Sequence, residues 1–240
     1  MMEEGTQMAE AALVAQIASV RKNKKSIPFK DAPRLQESFT AAAERKVLAW
    51  LALQMPARVN SDHLTLIGFI AMFLAGASYA FARFNRAGLI LATLFLAVNW
   101  FGDSLDGTLA RVRNRLRPRY GFYVDHIIDT FGGLFLMGGL AISGFIDWRI
   151  AIGMFVAFLM LSVQVYLATY TVGTFQLSFA KFGPTEIRIL LAAGNVALWL
   201  HPNMRIFDIG GIVAIAGMST MLVISTIFNT VKLYRAETPR

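Results

Sequence analysis

From Leu64 onward the chain is written in long apolar runs separated by short polar breaks. The runs cover residues 64–82, 87–107, 121–144, 150–172, 184–200 and 207–231. A helix of about 20 such residues crosses the hydrocarbon core of a bilayer, which is about 30 Å thick. Transmembrane strands would alternate in polarity at every second position, and these runs do not. The pattern predicts an all-α integral membrane protein with six transmembrane helices. Ahead of them, Phe39, Ala43, Val47, Trp50 and Leu51 fall near one helical face while Glu44, Arg45 and Lys46 lie largely elsewhere. Residues 39–56 are therefore expected to form an interfacial amphipathic helix in the headgroup region, ended by Pro56. Residues 1–38 read as a cytosolic N-terminal extension, polar and basic over 21–38, where Pro28 and Pro33 mark a linker. Glu3 and Glu4 stand where a cleaved leader would carry basic residues, which argues against one. Residues 57–240 form a single transmembrane domain without an internal repeat.

Composition agrees with this pattern. Of 240 residues, 56% are hydrophobic and 16% charged, and the mean hydropathy is +0.53, too apolar for an ordinary soluble domain. Cysteine is absent, so disulfides and thiolate ligands are excluded and any metal is held by oxygen or imidazole. The net charge of +8 could suggest nucleic acid, but its distribution follows the spans. Nineteen Lys and Arg fall in residues 1–63, in the 111–119 loop, at Lys181 and Arg188, and in the tail, leaving Arg83, Arg86, Arg149 and Arg205 on the other side. By the positive-inside rule both termini and the 111–119 loop are cytoplasmic. The charge is thus a topology signal, and no nucleic-acid partner is inferred.

Acidic residues carry the chemistry, because a carboxylate within a membrane helix is costly unless paired or metal-bound. Between Asp62 and Asp147 only Asp103, Asp106, Asp125 and Asp129 occur. At about 100° per residue, Asp103 and Asp106 lie about 60° apart on the second span, and Asp125 and Asp129 about 40° apart on the third. The connection 112–120 is short, so the two helices are antiparallel neighbours and four carboxylates converge near the cytoplasmic end. Such a cluster repels itself, and two divalent cations, Mg²⁺ with Mn²⁺ as a substitute, are its natural neutraliser. Pairing with Arg111, Arg113 and Arg115 is the alternative, but it leaves Gly107, Ala110 and Gly121 beside the acids unexplained. Small residues there let a bulky ligand approach the backbone. Arg111 at the rim supplies a fork of donors suited to phosphate.

In order, these residues read D-x2-D-G-x2-A-R-x9-G-x3-D-x3-D, from Asp103 to Asp129. This resembles the signature of the CDP-alcohol phosphotransferase family, with every fixed position in its proper spacing. The resemblance extends over roughly residues 39–231, because that family has six transmembrane helices and an N-terminal interfacial helix. It implies that Asp103, Asp106 and Asp125 ligate the metals and that Asp129 serves as ligand, as general base, or as both. It also implies that Gly107, Ala110, Arg111 and Gly121 cradle the cytidine diphosphate. Asn60 and Thr65 are similar to the family's segment at the start of the first span, although Val59 stands where proline is usual. The implied reaction cleaves a CDP-linked donor, either CDP-diacylglycerol or a CDP-alcohol, releases CMP and transfers the substituted phosphate to a lipid or small-alcohol acceptor. A homodimer is also implied, and Gly132, Gly133, Gly138, Gly139, Gly144 and Gly153 would permit close helix approach.

Two rival classes share part of the pattern. Asn99, Asp103 and the Asp125-x3-Asp129 pair imitate the motifs of Mg-dependent intramembrane prenyltransferases, which usually need more helices and lack the Gly-x2-Ala-Arg run followed by Gly. A cation transporter with an acidic site would place its carboxylates at the midplane among broken helices, which are not evident here. Among other polar residues, His126 lies about 100° from Asp125, and a structural hydrogen bond is expected of it rather than catalysis. Pro184 and Glu186 suit a helix N-terminus; Glu186 and Arg188 either cap that helix or shape the acceptor pocket. Gln164, Tyr166 and Tyr170 are candidates for that pocket or for interfacial anchors.

Overall fold

The computed structural model describes residues 34–35, 40–173, 175–176, 183–202 and 205–238. The expected extension 1–38 lies outside these apart from Arg34–Leu35 (β1), which pairs in parallel with Phe175–Gln176 (β2). All other regular structure among the described residues is helical: α1 (Ala41–Gln54), α2 (Ser61–Ala82), α3 (Ala87–Val112), α4 (Pro118–Ser143), α5 (Trp148–Val172), α6 (Pro184–Leu200) and α7 (Ile206–Glu237). The boundaries follow local chemistry. The Asn60 N–H donates to His63 Nδ1 at 3.2 Å in the first turn of α2. Pro118, which lacks the N–H that a first turn leaves unused, opens α4. Gly144 and Gly173 end α4 and α5 with φ of 81° and 74°, a left-handed conformation that favours glycine.

Five helices, α2, α3, α4, α5 and α7, are long and apolar enough to cross a membrane. The sixth expected span, α6, has 17 residues and a length of about 25 Å, short of a full hydrocarbon core. α3, α4 and α7 run past the expected span ends, so the helices project beyond the apolar zone and carry arginines with them. On α7, Ile209, Val213 and Phe228 are each at least 65% exposed, an arrangement suited to lipid rather than water.

α2 is the hub. Gly102 of α3 lies so near it that an added Cβ would stand 2.6 Å from both Gly68 N and Leu64 O, and Gly139 of α4 lies against the Gly76 backbone. These contacts place α3 and α4 on either side of α2, with Tyr79, Leu89, Leu96, Leu140 and Leu198 buried around it. The cluster of Leu48, Ala52, Leu64, Leu105 and Leu109 seats α1 on α2 and α3. The buried stripe of α1 is therefore Ala41, Leu48 and Ala52. Of the residues expected to form its apolar face, Val47 and Trp50 are exposed and Phe39 lies outside the described residues, because the protein-facing stripe is a different one.

Of the glycines expected at helix contacts, Gly132 meets Met72, Gly133 meets Phe158 and Gly153 meets Ile215, all within the chain. Gly144 instead serves as a helix cap, and a Cβ on Gly138 would meet nothing within 4 Å.

Candidate active site

The C-terminal half of α3 and the N-terminal half of α4 carry the four carboxylates. Asp103 from α3 shares one cavity with Asp125 and Asp129 from α4. Thr65, Gly68 and Asn99 line the polar part of that cavity, and Phe69, Met72 and Ile128 its apolar part. Asp106, 8% exposed, stands beside it. Its Oδ2 accepts from Thr65 Oγ1 at 2.6 Å and its Oδ1 from the Gly107 N–H at 2.5 Å, while Ser61 Oγ donates to its backbone carbonyl at 2.8 Å. Asp129 is within electrostatic reach of Asp103, Asp106, Asp125 and Arg188. α3 and α4 each pack on α2 and hardly on one another, so the expected direct pairing of these two helices is not found; Asp103, Asp125 and Asp129 reach one cavity because α2 carries both helices.

One cation that meets them is on another helix. Arg188 of α6 donates from Nη2 to Asp103 Oδ2 at 2.6 Å and from Nε to Asn99 Oδ1 at 2.9 Å, and its side chain is 13% exposed. Asn99 is itself held, donating from Nδ2 to the Gly68 carbonyl at 3.0 Å. The 111–117 arginines also make bonds outside the carboxylate cluster. Arg113 donates to the carbonyls of Met55, Pro56 and Val59, clamping the link between α1 and α2. Arg111 donates to Thr108 Oγ1 at 3.2 Å, and Arg117 pairs with Asp62. Arg188 was readable as an arginine at the start of an apolar run, which demands a partner, but nothing local names that partner.

Gly107 and Gly121 face open space: a Cβ on either would meet nothing within 4 Å. That is the geometry of a cradle that a side chain would fill. The donor set consists of hard carboxylate oxygens, chemically suited to Mg²⁺ or Mn²⁺. No three acidic or histidine side chains among the described residues stand together as a ready-made ligand shell. Three of the oxygens accept hydrogen bonds within the protein, Oδ2 of Asp103 from Arg188, and Oδ2 and Oδ1 of Asp106 from Thr65 and the Gly107 N–H.

The lesser candidates separate. His126 Nδ1 lies against the Phe122 carbonyl, and its ring contacts Phe122 and Tyr166, in keeping with a structural role. Tyr170 is 90% exposed and is not a wall of the cavity. Glu186 caps α6 through the Gly183 N–H at 2.9 Å, yet also bonds to Thr40. Thr65 joins the site as expected, whereas Asn60 serves the start of α2.

Long apolar helices around a carboxylate cavity define a membrane protein with a polar site among its spans. The chain matches the CDP-alcohol phosphatidyltransferase family over residues 59–228 and belongs to it. It is 32% identical over 136 residues to the archaetidylinositol phosphate synthase of Pyrococcus horikoshii, covering 56% of this chain and 69% of that one. It is 34% identical over 86 residues to the archaetidylinositol phosphate synthase of Methanothermobacter thermautotrophicus, covering 35% of this chain and 40% of that one. The protein is a multi-pass membrane transferase of phospholipid synthesis, acting on a CDP-linked donor and an alcohol acceptor. The prenyltransferase and transporter alternatives fall away.

Proposed function

We propose that this protein transfers a phosphatidyl-type group from a CDP-linked lipid to an inositol that already carries a phosphate, releasing CMP. The observation that carries this reading is Arg188, held by Asn99 and Asp103 at the carboxylate cavity. A guanidinium there suits an acceptor with a phosphate of its own. The names of the two relatives support the same choice, since each makes a phosphorylated inositol lipid. Phosphatidyl transfer supplies only the phosphate between lipid and alcohol, so the further phosphate must arrive with the acceptor.

In this reading Asp103, Asp106, Asp125 and Asp129 hold two Mg²⁺ ions, with Mn²⁺ as a substitute, and Gly107, Ala110, Arg111 and Gly121 receive the CDP moiety. The ions, when bound, neutralise the donor diphosphate and the charge that grows on departing CMP. The acceptor hydroxyl attacks the phosphorus attached to the lipid, its proton passes to the Asp129 carboxylate, and the anhydride bond to CMP breaks in one displacement without a covalent enzyme intermediate. Asp103 would help to hold the metal, and the Arg188 guanidinium beside it would supply donors for the acceptor phosphate. The assignment to two roles suits Asp129 because its charge interacts with all three other acids.

The same reading completes the architecture. α6 is a sixth, short span, α1 lies at the interface with Val47 and Trp50 toward the headgroups, and the active site faces the cytoplasm. The protein is a homodimer with one complete site per chain. Purified protein supplied with CDP-diacylglycerol or its ether counterpart, Mg²⁺ and a panel of inositol, inositol phosphate, glycerol phosphate and serine tests the acceptor. CMP release with inositol phosphate alone is expected. Release with unphosphorylated inositol or serine, and none with inositol phosphate, would overturn the assignment.

A further inference from the structure

The Glu186 carboxylate is buried, 7% exposed, and holds more bonds than a helix cap needs. Capping α6 takes only the Gly183 N–H, which donates to Oε2 at 2.9 Å. Oε1 additionally accepts from the Thr40 N–H at 3.0 Å and from Thr40 Oγ1 at 2.6 Å, across 146 residues of chain. A second carboxylate makes the reciprocal tie. Glu44 Oε1 of α1 accepts from Thr185 Oγ1 at 2.7 Å and from Trp100 Nε1 of α3 at 2.8 Å. The start of α6 is thus latched to α1 by two glutamates, and α1 in turn to α3.

Arg188 follows Glu186 by two positions, about 200° further round the helix, so the two side chains leave α6 on nearly opposite sides. Glu186 reaches out to α1 while Arg188 reaches in to Asn99 and Asp103. The next polar tie along α6 is Asn195, which donates from Nδ2 to Thr93 Oγ1 at 3.0 Å. The setting of the first turn, and with it the place of the Arg188 guanidinium, therefore depends on the latch. Burying a carboxylate is costly unless hydrogen bonds compensate, so removing a donor loosens the whole junction.

We infer that Glu186 is a positioning residue for the transfer reaction: with Thr40 it locks α6 onto α1 at the setting in which Arg188 meets the active site. The role given to Arg188 at the acceptor rests on the proposed function, whereas the latch itself rests on the bonds above. A double-mutant cycle tests it. Glu186→Gln and Thr40→Val are made in the native background and in Arg188→Lys, and KM is measured separately for donor and acceptor by CMP release. The assay uses whichever acceptor of the panel is turned over, so failure of the inositol phosphate assignment and failure of the latch are distinguishable. In the native background the acceptor KM rises roughly three- to tenfold with the donor KM unchanged, and in Arg188→Lys the further rise disappears. An equal rise in both backgrounds, parallel rises for donor and acceptor, or no change at all would overturn the inference. Should Glu186→Gln fail to accumulate folded, Thr40→Val decides alone, since it deletes one hydroxyl and keeps the backbone bond.

Discussion

At the scale of single residues, the roles proposed for four carboxylates and two glycines can be tested one by one. Asp103→Asn, Asp106→Asn and Asp125→Asn each remove a charged oxygen donor, and a loss of about a hundredfold or more in turnover, about 3 kcal/mol, is expected for such groups. CMP release should vanish in EDTA and return with Mg²⁺; full activity in EDTA would refute metal dependence. Asp129→Asn should spare donor binding while turnover collapses, and a parallel fall of both would remove the base assignment. Gly107 and Gly121 make the complementary case. A Cβ on either meets nothing within 4 Å, so Gly121→Ala should melt at the native temperature in detergent yet raise the donor KM by about tenfold or more. A stable variant with native donor KM would show that no ligand fills that space.

Between elements, the same residue type has the opposite function. Gly102 and Gly139 are where α3 and α4 touch the α2 backbone. Gly102→Leu or Gly139→Leu forces these helices apart, and a loss of about 2–3 kcal/mol is expected from overpacking alone. Thermal denaturation in detergent measures it, and unchanged melting would contradict the packing described for α2. The arginines divide similarly by place. Five occur from Arg111 to Arg119, and two of them, Arg113 and Arg117, tie this segment to the α1–α2 link and to Asp62. Arg188, bonded to Asp103, lies 85 residues from it along the chain. Basic clustering near the acids did not point to Arg188, which the packing of α6 on α3 brings to Asp103.

For the whole molecule, the absence of cysteine makes topology directly measurable. A single Cys at position 115 should be modified by a membrane-impermeant thiol reagent only from the cytoplasmic side of sealed vesicles, and one at position 83 only from the other. Labelling of both from one side would overturn the orientation. All four aspartates sit on α3 and α4 of one chain, so a dimer contains two independent sites. Mixing an inactive Asp129→Asn chain with an inactive Asp103→Asn chain should restore no activity, and substantial recovery would mean that the site is shared. Most of the glycines first considered for the dimer contact are spent within the chain, on Met72, Phe158, Gly76 and Ile215, which leaves Gly138 open.

What was legible in the chain follows from the range of each signal. Hydropathy and helical period are local, so the long spans, their order and the acidic faces of Asp103 with Asp106 and Asp125 with Asp129 could be read from neighbouring residues alone. The short link between α3 and α4 did not by itself join the two faces, since both helices pack on α2 rather than on each other. The sequence by itself thus determined the long helices and the family signature from Asp103 to Asp129. Local pattern named an apolar stripe on α1 that includes Val47 and Trp50, but not the second stripe, Ala41, Leu48 and Ala52, that packs on the protein, because an apolar position does not say whether protein or lipid covers it. The pairings of Thr65 with Asp106, Arg188 with Asp103 and Glu186 with Thr40 join residues 41, 85 and 146 positions apart. No period encodes which distant helix supplies a partner. Only the tertiary packing of α1 and α6 around α2 and α3 decided those contacts, since a hydrogen bond forms only between groups that the fold has brought within about 3 Å.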